Sequence, residues 1–282
     1  MEFIEGIRLS NGVAMPRIGL GLWGPREGSE AEGAAEAALA AGYRLFDSAA
    51  VYANERSLGR ALARSGLKRA EYFIVGKVWF EREGPGEPKK AVMESLARLG
   101  LGHFDLGLIH WPTRRCSLTF KALSEMAGEG PLRAIGVANF SPDQLRALMG
   151  ETGLVPHVWQ MEIHPLRIRD DVREMARELG IALMAHCPLA RGRLKKNQIV
   201  GRLAAKYQKS FAQVILRWAW QKGLCPIPKS VRPDRIRENA QIFDFALAAE
   251  DVAALDRLDQ GQSVLKPPFC FDEDGYVLGH LK

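Results

Sequence analysis

Short apolar runs alternate along this chain with longer segments in which apolar residues recur every three or four positions. The short runs predict eight strands, at residues 18–22, 43–47, 72–77, 104–109, 132–138, 157–161, 181–185 and 224–227. The longer segments have the spacing of amphipathic helices and predict eight of them, at residues 29–41, 54–64, 87–99, 118–129, 141–149, 169–179, 210–222 and 232–241. Strands and helices therefore alternate over most of the chain.

Polar residues and glycines mark many of the predicted helix ends. Ser29 with Glu32, and Ser141 with Gln144, have the spacing of capping boxes, and Pro142 stands at the first position of its helix. Glycines that can end a helix stand near other helix ends, at Gly42, Gly66, Gly100 and Gly180.

The alternation predicts parallel strands joined by right-handed crossovers. At 282 residues, eight such units fit an α/β fold of the closed (β/α)8 type, a TIM barrel, as a single domain over residues 1–282. An open, doubly wound sheet is the alternative, because it shows the same alternation. Ahead of the barrel, Asn11 and Gly12 predict the two-residue turn of a β-hairpin, which we expect to form a small N-terminal lid outside the main fold.

Composition places the chain among soluble globular proteins. Hydrophobic residues make up 47% and charged residues 26% of it, and no run approaches the ~18 apolar residues of a membrane span. The net charge of +6 would suit an anionic ligand, but the basic residues are scattered, so we expect no nucleic-acid partner. The densest basic segment, residues 190–196, could bind a phosphate of a small molecule or be a solvated loop.

The cysteines indicate a reducing environment. They are far apart and form no C-x-x-C pair, which argues against a structural zinc site or a disulfide framework; they are Cys116, Cys187, Cys225 and Cys270. The first residues also lack the basic and apolar regions of a signal peptide. We therefore expect a cytoplasmic protein with no membrane segment and no bound metal.

Polar residues stand at or just beyond the ends of seven of the predicted strands: Asp47, Lys77, His110, Asn139, Gln160, His186 and the pair Lys229 and Ser230. Each could simply meet water where its strand ends. In a TIM barrel, however, the carboxyl ends of all strands surround one mouth, which is where the active site lies. Together these residues therefore predict a functional site.

The residue types at this mouth favour proton transfer. Asp47 and Lys77 on neighbouring strands can form a partly buried ion pair that keeps the lysine charged. Tyr52 follows five residues after Asp47, and a nearby cation would lower the pKa of its phenol from about 10. His110 could orient the same substrate oxygen. A proton donor without a nucleophile suits reduction of a carbonyl group.

Residues 19–24 read GLGLWG, which matches the G-x-G-x-x-G string of Rossmann dinucleotide sites. That motif must open a helix, but here the helix starts only at Ser29. We therefore interpret Gly19 and Gly21 as part of the first barrel strand and Trp23 as part of a pocket wall.

Several stretches resemble the aldo-keto reductase family. GYRLFDSAAVYANE contains Asp47 and Tyr52, VGKVW contains Lys77 and LGLIHWP contains His110, each at the position of the family's catalytic tetrad. GVANF and PIPKS follow in the same order, so that the similarity runs from about residue 7 to residue 258. The chain is similar to the bacterial branch that includes 2,5-diketogluconate reductases.

This resemblance implies a nicotinamide cofactor lying across the barrel mouth, with NADPH favoured over NADH. Asn139 and Gln160 would hold the nicotinamide carboxamide, and Asn239 would contact the adenine. The 2′-phosphate would meet Lys229, Ser230 and Arg235.

One cofactor position departs from the family pattern. His186 stands where relatives carry Tyr, Trp or Phe against the nicotinamide. An imidazole has a smaller face and can become charged, so we expect weaker or pH-dependent cofactor binding, or else a tolerated change with little effect.

The implied activity is NADPH-dependent reduction of an aldehyde or ketone to an alcohol, with the proton coming from Tyr52. Trp23, Trp79 and Trp111 would line an apolar substrate pocket. Arg114 and Arg115 would either favour an acidic substrate or be exposed to solvent. In relatives the C-terminal segment folds over the mouth, but residues 261–282 are too different to carry roles over.

Two other functions stay open at this point. The chain could be a cofactor-binding regulatory subunit that resembles the potassium-channel β subunits. A metal-dependent barrel hydrolase is the other, although His110, His157, His164 and His186 show no metal-ligand spacing. We expect a monomer that binds a small-molecule carbonyl substrate.

Overall fold

The computed structural model describes residues 6–84, 86–267 and 269–280. A short antiparallel hairpin of β1 (Ile7–Arg8) and β2 (Ala14–Met15) comes first. Eight parallel strands follow in one sheet, in chain order and each paired with the next. They are β3 (Leu20–Gly21), β4 (Leu45–Asp47), β5 (Phe73–Val78), β6 (Leu106–Ile109), β7 (Ile135–Ala138), β8 (Val158–Glu162), β9 (Ala182–His186) and β10 (Cys225–Pro226).

Backbone hydrogen bonds join the first and last of these strands. Gly19 N donates to Pro226 O and Gly21 N donates to Pro228 O, both at 3.1 Å. The sheet is therefore a closed barrel, which confirms the predicted (β/α)8 fold, and the alternative of an open sheet is wrong.

Helices surround this barrel. They are α1 (Ser29–Ala40), α2 (Glu55–Arg64), α3 (Glu87–Leu99), α4 (Cys116–Glu129), α5 (Pro142–Thr152), α6 (Asp170–Leu179), α7 (Gln198–Tyr207), α8 (Phe211–Gln221), α9 (Pro233–Ala240) and α10 (Ala249–Asp256). Every predicted strand and helix has a counterpart whose ends lie within three residues of the prediction. The helices α7 and α10 were not predicted.

The two predicted capping boxes have different outcomes. Ser141 accepts a bond from Gln144 N at 3.2 Å, and the Gln144 side chain accepts from Ser141 N at 2.9 Å, so the box at α5 is confirmed. The box at Ser29 is wrong, because Gly28 is the N-cap of α1 and no side chain caps it.

The hairpin of β1 and β2 covers the amino end of the barrel, opposite the mouth. Its Leu9 and Met15 belong to the same buried cluster as Leu45 and Phe73, which stand at the amino ends of β4 and β5. Its turn differs from the predicted one, because Gly12 N donates to Leu9 O at 2.8 Å, which places Ser10 and Asn11 at the centre. Gly12 follows with a φ of 86°, a left-handed conformation that favours glycine.

A second hairpin lies at the other end of the barrel. It consists of β11 (Phe269–Phe271) and β12 (Val277–His280), which pair antiparallel. Val277 N donates to Pro112 O at 2.9 Å, beyond the carboxyl end of β6, so this hairpin lies beside the mouth.

Within the three described ranges, every helix is too short or too polar to cross a membrane.

Candidate active site

The barrel brings the predicted strand-end residues to one mouth. Asp47 ends β4, Lys77 lies one residue before the end of β5, and His110 directly follows β6. Around the rest of the mouth, Asn139 follows β7, Gln160 lies in β8 and His186 ends β9. The register of a parallel barrel thus places side chains from distant parts of the chain side by side.

Asp47, Lys77 and Tyr52 form a continuous hydrogen-bonded chain. Lys77 Nζ lies 2.5 Å from Asp47 Oδ1 and donates to Tyr52 Oη at 2.9 Å. It also donates to the backbone O of Ser48 at 3.3 Å. Asp47 is 3% and Lys77 6% exposed, so the ion pair is shielded from water.

The pKa of Tyr52 differs from the expectation that a nearby cation lowers it. Burial raises the pKa well above 10, and the negative charge of Asp47 and the neighbouring Cys187 raise it further. Burial also lowers the pKa of Lys77, although Asp47 opposes this effect. Tyr52 is therefore a neutral phenol in this site.

His110 is neutral in this site. Burial lowers its pKa well below 6.5, and the positive charge of Lys77 acts in the same direction. Its ring lies 5.8 Å from the Tyr52 ring in an edge-to-face arrangement. Its Nδ1 is buried and has no hydrogen-bond partner in the described part of the chain.

Two amide side chains stand next to these residues. Asn139 has a left-handed backbone with φ of 66°, and its Nδ2 donates to His110 O at 2.9 Å. Its Oδ1 lies 2.8 Å from His186 Nε2. Gln160 Nε2 donates to Asp47 Oδ2 at 2.7 Å, so one amide contacts the ion pair directly.

The residues predicted to meet a phosphate lie together after β10. Lys229 is exposed and Ser230 is buried, while Arg235 is exposed in the first turn of α9. Across the described ranges, neither Lys229 nor Arg235 takes part in an ion pair. A Cβ built on Gly24 would lie 3.4 Å from Lys229 Cε, so this lysine crosses the chain beyond β3. Asn239, also predicted, is buried in α9.

An aromatic cluster flanks His110. The Trp79 ring lies 5.0 Å from His110, and Phe269 of β11 lies 6.0 Å from Trp79 and 4.8 Å from Trp111. Phe269 was not predicted. Trp23 is 55% exposed and its ring faces Arg191 at 4.9 Å, and among the described residues it makes no ring contact with Trp79 or Trp111.

The two arginines beyond β6, Arg114 and Arg115, have different surroundings. Arg114 is paired with Asp272 at 2.8 Å and with Asp274 at 2.6 Å, both in the turn between β11 and β12. Arg114 and Arg115 are both exposed, so the alternative of solvent exposure holds for both. Arg114 therefore holds the second hairpin beside the mouth, and its charge is already compensated.

Residues 17–260 match the model of the Aldo/keto reductase family. The chain belongs to this family. It is 42% identical over 273 residues to an aldo-keto reductase of Mycobacterium sp. (strain KMS), an alignment that covers 95% of this chain and 98% of that protein. It is also 42% identical over 261 residues to the glyoxal reductase of Bacillus subtilis (strain 168), which covers 92% and 95% of the two chains.

Solved structures of aldo-keto reductases have the same barrel. The Bombyx mori aldo-keto reductase in complex with NADP superposes with a TM-score of 0.87 at 31% identity, covering 93% of this chain and 94% of that one. Membership of the family makes this chain an oxidoreductase.

Within residues 6–84, 86–267 and 269–280, no group of three or more His, Cys, Asp or Glu side chains could hold a metal ion.

Proposed function

We propose that this aldo/keto reductase family member reduces an aldehyde or ketone to the alcohol with NADPH. The observation that carries the proposal is the hydrogen-bonded chain from Asp47 through Lys77 to Tyr52, beside His110 at the barrel mouth. These four residues offer a proton donor and include no activated nucleophile. That combination suits hydride addition to a carbonyl carbon with protonation of its oxygen.

Each of the four residues has a distinct role in this proposal. Tyr52 donates its proton to the carbonyl oxygen. The Lys77 ammonium, held by Asp47, stabilises the phenolate that remains, because a charge-assisted hydrogen bond is stronger than a neutral one. The neutral His110 imidazole can donate a hydrogen bond to the same oxygen and orient it.

The surrounding side chains fit NADPH, which supplies the hydride when bound. Asn139 and Gln160 present amide groups whose donors and acceptors match a carboxamide, beside His186. Lys229 and Arg235 have no ion-pair partner among the described residues, and with the nearby Ser230 hydroxyl and the start of α9 they match a 2′-phosphate. Asn239 would contact the adenine. A solved relative, the Bombyx mori protein, is a complex with NADP.

The pocket favours an uncharged, apolar substrate. We place the substrate against the aromatic cluster beside His110, in which Trp79 contacts His110 and Phe269 contacts both Trp79 and Trp111. Arg114 is compensated by two carboxylates and so does not select an acidic group. We place Trp23 at the outer edge of the mouth.

Replacing Tyr52 with Phe tests the assignment. We expect kcat/KM to fall at least about 1000-fold with benzaldehyde or glyoxal, because the proton donor is lost. The Kd of NADPH, measured by fluorescence, should stay within about twofold of the wild-type value.

Tyr207→Phe is the matched control, since Tyr207 lies in α7 and its hydroxyl binds Asp251. It should keep the wild-type rate. If Tyr52→Phe retained more than about a tenth of the wild-type kcat/KM, Tyr52 would not be the proton donor. If the wild type bound NADPH but reduced no carbonyl compound of a broad panel, a cofactor-binding regulatory protein would be the better conclusion.

A further inference from the structure

A buried glutamate joins the two loops that carry Trp79 and Trp111. Glu83 directly follows the 3-10 turn Phe80–Arg82 beyond β5 and is 6% exposed. The Thr113 hydroxyl, beyond β6, donates a hydrogen bond to its carboxyl group. The same hydroxyl oxygen accepts a hydrogen bond from Arg115 N at 3.1 Å, and this second bond orients the hydroxyl group toward Glu83. The hydrogen bond between Thr113 and Glu83 therefore joins the loop that carries Trp79 to the loop that carries Trp111.

Glu83 has few donors for a buried carboxylate. Its Oε1 has no hydrogen-bond partner within the described ranges. Glu162 is buried to the same extent, at 5% exposed, but it accepts hydrogen bonds from Ser263 Oγ, Val264 N and the His164 ring. Burial raises the pKa of Glu83 to about 7. At Glu162 burial acts in the same direction, but the three donors outweigh it and lower the pKa to about 2.

The charged groups around Glu83 do little to hold its ionised form. Burial raises the pKa of Glu83 by more than the hydrogen bond from Thr113 and the Arg115 guanidinium together lower it. Cys116, at the start of α4, stays a neutral thiol because burial raises its pKa to about 12. Other charged groups on the loop of Glu83 are engaged elsewhere, in the pairs Arg82–Glu87, Arg82–Glu94 and Glu81–His280.

We propose that Glu83 is a positioning residue of the substrate pocket, whose neutral carboxyl group holds the Trp79 and Trp111 loops together and whose ionisation loosens them. The proposal rests on the function proposed above, because it concerns the pocket of the same site. An ionised Glu83 would be a buried carboxylate with a single donor, an unfavourable state that is relieved when the loops open to water. The affinity for an apolar aldehyde therefore falls as the pH rises through 7.

The kinetic test is the KM of benzaldehyde at saturating NADPH, from about pH 6 to about pH 8.5. We expect the wild-type KM to rise roughly three- to fivefold over this range. Glu83→Gln mimics the neutral carboxyl group, so its KM should stay near the acidic wild-type value throughout. Glu83→Ala should have a raised KM at every pH. A flat wild-type profile, or a Glu83→Gln profile that follows the wild type, would overturn the proposal.

Glu81→Gln is the matched control, because Glu81 lies two residues away but is exposed. It should keep the wild-type KM and its pH dependence. If Glu81→Gln abolished the pH dependence as well, the effect would not belong to Glu83.

Hydrogen exchange of the free protein separates this proposal from the proposed function. After correction for the intrinsic pH dependence, amides of residues 79–84 and 110–116 should exchange faster above about pH 7 in the wild type but not in Glu83→Gln. That result would support the role of Glu83 even if no aldehyde were reduced, in which case only the proposed function would fail. Equal exchange in the two proteins at every pH would overturn the role of Glu83.

Discussion

The His186 imidazole is neutral at the barrel mouth because it is buried. Burial lowers its pKa to about 3; Glu162 opposes this shift, and Lys77 adds to it. Since Asn139 Nδ2 donates to His110 O, Asn139 Oδ1 is left as the acceptor, and His186 Nε2 must carry the proton in their hydrogen bond. The structure therefore gives no support to cofactor repulsion by a charged His186 near neutral pH. The neutral ring instead donates a hydrogen bond to the Asn139 amide oxygen at 2.8 Å.

We expect His186→Phe to change the Kd of NADP+ by a few-fold at most, and by the same factor at every pH from about 5.5 to about 8, because the larger ring gains stacking area but loses the bond to Asn139. The ratio of the two Kd values is independent of pH because the wild-type imidazole stays uncharged over this range. The bond to Asn139 is therefore present in the wild type and lost in the variant at every pH. Fluorescence titration of both proteins gives the ratio of the two Kd values. A ratio that drifted as the pH fell would show that His186 takes up a proton.

The site could be predicted from the sequence where a strand end determined a position. Asp47, Lys77 and His110 followed from the strand pattern, and Tyr52 followed from its place five residues after Asp47. The cofactor roles, including the phosphate contacts of Lys229 and Arg235, depended on family resemblance. Phe269 and Glu83 were missed, because the contacts that matter to them come from chain segments far away or across a loop. The direction of the Tyr52 pKa shift was wrong for a related reason, since the extent of burial is a property of the folded protein.

Among the secondary-structure elements, those with strong periodicity were predicted and those outside the repeating pattern were not. One helix was expected after each strand, and α7 therefore went unseen although it directly precedes α8. The helix α10 and the hairpin of β11 and β12 follow the last repeat, where no alternation points to them. The hairpin is held by contacts such as Arg114 with Asp272, which no local pattern reveals.

The two serines at helix starts allow a matched test of capping. Ser141→Ala should lower the free energy of unfolding by about 1 kcal/mol, because Ser141 and Gln144 exchange two hydrogen bonds at the start of α5. Ser29→Ala should change it by less than about 0.5 kcal/mol, because Ser29 is not a cap. Urea denaturation of both variants measures the difference. Equal losses would mean that the cap of α5 contributes nothing specific.

At the scale of the whole molecule, the barrel closes along a seam in which the glycines of GLGLWG take part. Gly19 and Gly21 donate backbone bonds to the last strand and to Pro228 just beyond it. A Cβ built on Gly21 would lie 3.0 Å from Ile227 O and 3.9 Å from Lys229 Cβ. The absence of a side chain therefore allows the two ends of the sheet to meet. The string that resembles a dinucleotide motif serves barrel closure, and it lies beside the lysine proposed to bind the phosphate.

Gly21→Ala should consequently disturb both stability and cofactor preference. Pushing the Ile227 carbonyl aside should cost about 1–3 kcal/mol of unfolding free energy, as overpacking of a dense interior does. Because Lys229 follows Ile227 by two residues, the Kd of NADPH should rise more than that of NADH, which lacks the 2′-phosphate. Gly33→Ala is the control. Among the described residues, no atom beyond the adjacent backbone of α1 lies within 4 Å of a Cβ built on Gly33, and alanine there should stabilise the protein by roughly 0.5–1 kcal/mol. If Gly21→Ala were as stable as the wild type, the seam would tolerate a side chain and close packing would not explain this glycine. If the free energy of unfolding fell but the Kd values of NADPH and NADH rose by the same factor, the close packing of Gly21 at the seam would be supported. Its link to the phosphate site would not be.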